Sequence, residues 1–205
     1  MKKQTSPPGK KPSNAPVKKP VLPGEVRIIG GQWKRSKLPV ANKPGLRPTP
    51  DRVRETLFNW LGQDVQGARC LDAFAGTGAL GFEAASRGAA EVRLVEQDST
   101  LVEQLQRLQL QLKATTVQVL RGDGLAALKA AAPASLDLIF LDPPFEARFY
   151  EPALQAAARA LAAQGSIYLE APSAWSDEAL AALGLCLHRH LKAGAVHAHV
   201  LRHVM

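Results

Sequence analysis

The 205-residue chain has only two cysteines, five histidines and few aromatics (5%). Cys70 and Cys186 stand far apart without CxxC spacing, which excludes a disulfide-stapled fold and predicts buried free thiols in a reducing cytoplasm. His190, His197, His199 and His203 fall in C-terminal strand-like stretches with no Cys or carboxylate pattern nearby. They read as solvated or packed strand residues, and no metal is expected. No apolar run approaches the ~20 residues that span a bilayer, so no membrane association is expected. Met1 to Pro23 is basic but has no apolar stretch of the kind a secretory signal requires. Acids are almost missing from the first quarter. Residues 1–50 hold twelve Lys/Arg against Glu25 alone (+11), whereas residues 51–205 hold fourteen basic and seventeen acidic residues (−3). A basic arm on a near-neutral domain favours a polyanion through counterion release.

What is present suffices for one α/β domain with a small extension. The hydrophobic fraction is 46%, packed mainly by Ala, Leu and Val. Residues 1–24 are rich in Lys, Pro and Ser and predict a disordered tail, because they bury too little apolar surface to offset ordering entropy. Residues 25–62 predict an extension of hairpin and helix. Val26 to Ile29 is strand-like, Gly30-Gly31 a turn, and Lys34, Arg35 and Lys37 cluster around Trp33. Thr49 is a candidate N-cap, Pro50 suits a first helical turn and Asp51 its dipole. Val53, Leu57, Trp60 and Leu61 share a face, and Gly62 ends the helix.

Residues 63–205 alternate strands (69–74, 92–96, 116–120, 136–141, 165–170) with helices (79–87, 99–113, 124–131, 148–163). That order predicts a doubly wound, mostly parallel sheet covered on both faces. Leu185–Leu191 and Val196–Val204, joined by residues 192–195, predict a closing antiparallel hairpin.

The first of these strands runs into Asp72-Ala73-Phe74-Ala75-Gly76-Thr77-Gly78-Ala79-Leu80-Gly81, with Glu96 twenty residues after Gly76. Glycines there let backbone approach a ligand, and an acid at Glu96 can accept from ribose hydroxyls. A nicotinamide dinucleotide and S-adenosylmethionine both fit that pattern. Asp72 tilts it, since a carboxylate there repels a pyrophosphate and suits the cationic end of S-adenosylmethionine. Asp123 either caps the adenine amino group or N-caps the next helix; the two roles are compatible.

A further strand delivers Asp142-Pro143-Pro144-Phe145 to the sheet edge where open α/β sheets hold ligands. An exocyclic base amine is a poor nucleophile because its lone pair is delocalised into the ring. A carboxylate at Asp142 and the carbonyl of Pro143 can draw on its two N–H groups and align that lone pair with a methyl sulfonium. Successive prolines stiffen the turn, and Phe145 offers a stacking face worth ~1–3 kcal/mol. This chemistry suits a guanine or an adenine amine equally.

With these motifs the chain resembles the ribosomal RNA small subunit methyltransferase D family over about residues 25 to 205. The most specific likeness is Leu46-Arg47-Pro48-Thr49-Pro50-Asp51-Arg52-Val53-Arg54-Glu55-Thr56-Leu57-Phe58-Asn59-Trp60-Leu61, joined by Arg27 to Gly31, Asp72 to Gly81 and Asp142 to Phe145. The resemblance implies a class I S-adenosylmethionine-dependent methyltransferase fold with seven strands, and N2 methylation of a guanine in 16S rRNA. Free rRNA, a small-subunit particle or an assembly intermediate would be the substrate of a cytoplasmic monomer. It further implies a donor site at Asp72, Phe74, Gly76, Gly78, Glu96 and Asp123, and catalysis around Asp142, Pro143, Pro144 and Phe145. RNA contacts are implied from Arg27, Lys34, Arg35, Lys37, Arg47, Arg52 and Arg54. The residues alone leave three alternatives: adenine-N6 methylation of DNA or RNA, a nicotinamide oxidoreductase, and a non-catalytic RNA-binding assembly factor.

Overall fold

A computed structural model describes residues 24–43, 46, 48–143 and 147–204. The expected disordered tail up to Pro23, together with Arg47, Pro144 and Phe145, lies outside the described residues. Two short strands, β1 (Glu25–Arg27) and β2 (Lys37–Pro39), pair antiparallel with Val26 opposite Leu38. The strand is shorter than expected, because the amides of Ile29 and Gly30 turn away to donate to Glu83 at 2.8 Å each. Helix α1 (Asp51–Trp60) follows. Its N-cap is Pro50 rather than Thr49, and no side chain caps it. Thr49 is drawn off into a buried hydrogen bond to Glu170. Val53 and Leu57 are buried as expected; Trp60 and Leu61 are only partly so, and Arg54 and Phe58 fill the rest of that face. Gly62 closes the helix at φ +98°, a conformation that costs a glycine little.

The remaining elements alternate: β3 (Arg69–Asp72), α2 (Ala79–Ser86), β4 (Glu91–Glu96), α3 (Ser99–Gln111), β5 (Val117–Arg121), α4 (Gly124–Ala130), β6 (Leu136–Leu141), α5 (Ala147–Ala160) and β7 (Leu161–Ala171). Then come α6 (Asp177–Ala181), β8 (Leu185–Ala193) and β9 (Val196–His203). The short α6, N-capped by Ser176, is an element the apolar pattern did not reveal. The seven-stranded sheet has the order β5-β4-β3-β6-β7-β9-β8. Five strands are parallel, and the β8–β9 hairpin adds antiparallel to β7. This doubly wound sheet with its closing hairpin is the expected class I methyltransferase layout. The hairpin turn is tighter than expected: the strands run to Ala193 and Val196, with Gly194 at φ +65°.

Period-two alternation sends successive residues to opposite faces and divides the core in two. One face packs Cys70, Leu94, Leu138, Phe140, Tyr168 and Val200 against α1, α2 and α3. The other packs Leu71, Val95, Ile139, Leu141, Ile167 and Leu169 against α4, α5 and α6. Leu101, Leu105 and Leu108 of the predicted α3 stripe are buried, and Leu112 is partly so. Val26, Ile28 and Leu38 join the first core, so the N-terminal hairpin shares the sheet's core. Cys70 is a buried free thiol, its pKa pushed up to about 12 mainly by burial. Cys186 is exposed, against expectation, because alternation along edge strand β8 turns it outward. The strand histidines are partnered locally: His190 and His197 share a 2.9 Å hydrogen bond, and buried His199 accepts from the Trp175 amide.

Candidate functional site

The glycine turn stands at the carboxyl end of β3. Gly76 and Gly78 adopt φ +51° and +76°. A Cβ on Gly78 would come within 2.6 Å of Leu105 and 2.8 Å of Phe82, so the turn lies directly on α2 and α3. Gly81 meets Leu94 similarly at 2.1 Å, which gives the third glycine a packing role. Asp72, at the end of β3, is 2% exposed and accepts from the Gly81 amide at 3.1 Å. Burial pushes its pKa up to about 7; the Gly81 amide opposes the shift and the carboxylates of Glu96 and Glu170 add to it. Glu96, half-buried, holds the Gly76 amide with one oxygen and the Asp98 amide with the other, both at 2.9 Å. Asp123 N-caps α4 through Ala126 at 2.7 Å, and its second oxygen accepts from Gln97 at 2.9 Å. Phe74, half-buried, lies beside Gly124. Asp72, Phe74, Gly76, Gly78, Glu96 and Asp123 therefore all line the ends of β3, β4 and β5.

The reaction-site candidate adjoins them. Asp142 directly follows β6, with Pro143 buried behind it. Leu141 pairs with Leu169, so the parallel register sets Asp142 beside Glu170 of β7. Asp72 pairs with Phe140, two residues back, on the other flank of β6. Positions 72, 140, 142, 168 and 170 share the sheet face that α1 covers. Asp142 keeps part of its surface open, yet its carboxyl is held well above the usual range, first by burial, then by Glu170 and Asp72. Glu170 is 5% exposed and also raised by burial, against hydrogen bonds from Thr49 (2.5 Å) and Tyr168 (2.9 Å). Among the described residues no Lys, Arg or His forms an ion pair with these three acids. A site with surplus buried negative charge fits a donor carrying a sulfonium and an ammonium, and disfavours a pyrophosphate. Sequence reasoning missed Glu170 because nothing marks a glutamate at the end of an apolar strand until β6 and β7 are in register.

The cations expected to face RNA divide. Arg27, Lys34, Arg35, Lys37 and Arg52 are exposed, Lys37 paired with Glu25 at 2.9 Å. Arg54 is a correction: it is fully buried, bonding Glu83 (3.1 Å), Asp51 (2.6 Å) and the Arg27 carbonyl (2.8 Å). A guanidinium committed to those acceptors inside the protein cannot meet a phosphate. The loop carrying Lys34 and Arg35 docks on Ser86, at the far end of α2, through Gln32 and Trp33. A groove of about 1010 Å³ there includes Gly31, Lys34, Asn59 and Arg87. The chain then crosses to the carboxyl edge, where Lys43 pairs with Asp98 and Thr49 with Glu170.

A protein from Escherichia coli named ribosomal RNA small subunit methyltransferase D is 51% identical over 122 residues, covering 60% of this chain and 61% of that protein. The chain thus spans about three-fifths of that relative's length. A Haemophilus influenzae protein of the same name is 47% identical over 141 residues, covering 67% of this chain and 73% of its own. The solved structure of yhhF from Escherichia coli superposes with a TM-score of 0.73 at 40% identity, covering 88% of this chain and 98% of that one. The family model described as conserved hypothetical protein 95 matches residues 26–202. With nearly its whole length matched, the chain belongs to that family, the one of the ribosomal RNA small subunit methyltransferase D proteins.

Proposed function

We propose that the protein transfers a methyl group from S-adenosylmethionine to N2 of a guanine in 16S rRNA. The reading rests on one observation: Asp142, a buried-strand carboxylate with part of its surface open, stands beside further buried acids and has no cation among the described residues to neutralise it. Relatives named for small-subunit rRNA supply the substrate class. Asp72, Phe74, Gly76, Gly78, Glu96 and Asp123 hold the donor, with Asp72 toward its cationic end. When bound, the donor supplies an activated methyl: the amine lone pair takes it as the carbon–sulfur bond breaks and that electron pair stays on sulfur. Asp142 and the Pro143 carbonyl hold the two amine protons, turning the lone pair out of the ring. As the new bond forms, Asp142 accepts the surplus proton and passes it to water. Pro144 and Phe145 complete the base pocket, Phe145 by stacking. Positioning of this kind lowers the barrier without a metal or a covalent nucleophile. Arg27, Lys34, Arg35, Lys37, Arg47 and Arg52 serve RNA phosphates as part of the 25–62 extension to the 63–205 catalytic unit, acting as a cytoplasmic monomer.

The test is incubation with radiolabelled S-adenosylmethionine and unmodified 16S rRNA or small-subunit particles, followed by nucleoside analysis. Label in N2-methylguanosine that Asp142→Ala abolishes is the expected result. Label in N6-methyladenosine would overturn the base assignment, and no label despite donor binding would overturn the acceptor.

A further inference from the structure

The proposed mechanism leaves two buried polar groups beside Asp142 without a task. Continuing the Leu141–Leu169 register, Asp142 and Glu170 stand side by side on adjacent strand ends, ~4.8 Å apart along the sheet. Thr49 and Tyr168 both donate to the same Glu170 oxygen, Oε1. Oε2 has no donor from the described residues. On α5, one turn beyond the Asp142 loop, the Tyr150 hydroxyl is buried and has no hydrogen-bond partner among the described residues. Tyr150 shares the core of the sheet's other face with Leu141 and Leu169, the residues that directly precede Asp142 and Glu170, and its pKa is pushed up to about 12, by burial first and then by those two acids. Buried polar groups are nearly always partnered, so an orphan hydroxyl and a half-used carboxylate beside a reaction site call for partners that arrive with the substrate.

The bases differ in what they bring. The Watson–Crick edge of guanine presents an acceptor (O6) and then two donors (N1–H and the N2 amine). The complement is one donor and two acceptors, which is the inventory of Tyr150, Glu170 and Asp142. Adenine offers an unprotonated N1, whose lone pair would face the carboxylate with no proton between them. We propose that Glu170 reads N1–H of the target guanine while Tyr150 donates to its O6, so that this pair sets the choice of base. Thr49 and Tyr168 fix the glutamate by holding its other oxygen, and Thr49 ties that choice to the segment leading into α1. The inference rests on the guanine-N2 reading.

The probe is unmethylated small-subunit rRNA in which the nucleotide labelled by the wild-type protein is replaced, by splinted ligation, with 2,6-diaminopurine. That base keeps the N2 amine but carries no N1 proton. The wild-type protein is expected to prefer guanine by about a hundredfold or more in kcat/KM, since a site built to pair a donor rejects the analogue lacking it. In Glu170→Gln, whose amide can donate to N1, the preference narrows at least tenfold, and the melting temperature does not fall. Tyr150→Phe lowers the guanine rate about tenfold without helping diaminopurine. Wild-type protein that methylates both bases equally overturns the proposal without recourse to a variant, as does a Glu170→Gln preference that stays the same. If no guanine is labelled at the outset, it is the underlying function that fails.

Discussion

The same face of the sheet buries two clusters of carboxylates in opposite ways. In the carboxyl half of α2, Glu83 is fully enclosed and saturated: it accepts from the Ile29 and Gly30 amides, Arg54 and Arg87. Arg87 also lies over the Phe58 ring at 4.7 Å. At the carboxyl edge of the sheet, buried Asp72 and Glu170 and half-buried Asp142 have few donors and no described cation partner. Equal burial therefore does not mean equal role. The first cluster is charge-balanced and rivets the N-terminal hairpin to α2. The second holds unmatched charge, which costs stability and makes sense where a cationic ligand and a base amine arrive.

The contrast breaks if the two clusters respond alike. Removing Glu83 should have the largest effect: Glu83→Ala leaves buried Arg54 with only the partly exposed Asp51 as counter-ion and the largely buried Arg87 without its acid, and urea unfolding should show a loss of about 3–5 kcal/mol. Asp142→Asn should leave stability unchanged or raised while methyl transfer falls about 10²–10³-fold. A matching loss of stability would make Asp142 a structural residue like Glu83.

Next comes pH. A carboxyl held near 7 in the fold and ~3.9 unfolded binds its proton more tightly when native, so its stabilising contribution is present below pH ~4 and lost as pH rises to about 7. Asp72→Asn should flatten that decline in the donor-free protein. Donor binding runs the other way: affinity should rise by up to about tenfold per unit toward pH 7 as Asp72 ionises beside Glu96 and Glu170, and the variant should lose the slope. Calorimetry across that range decides. The smallest effect belongs to the surface. Reversing Arg35 and Lys37 should weaken RNA binding several-fold and flatten its salt dependence, with donor affinity untouched; unchanged affinity at several salt concentrations would remove the basic loop from the interface.

Local patterning made most of the fold legible. The α3 stripe, the apolar strands and the glycine after α1 each carry their signal within a few residues. Asp72 and Asp142 were legible for the same reason, since each sits beside glycines or prolines that mark a strand's end. Arg54 was misread because charge is visible in a sequence and burial is not: only the return of Glu83 from α2 turns a surface-looking arginine inward. Thr49 was misread as a cap because its acceptor lies 121 residues away.

By itself, then, the sequence determined the alternation of elements, the charge asymmetry of the extension and the identity of the two motif acids, because period and turn chemistry are local. Tertiary structure alone decided which cations remain on the surface, that Glu170 joins Asp142, and that the Tyr150 hydroxyl is buried without a partner among the described residues. Those facts depend on strand register and on contacts between distant segments, which no window of neighbouring residues contains.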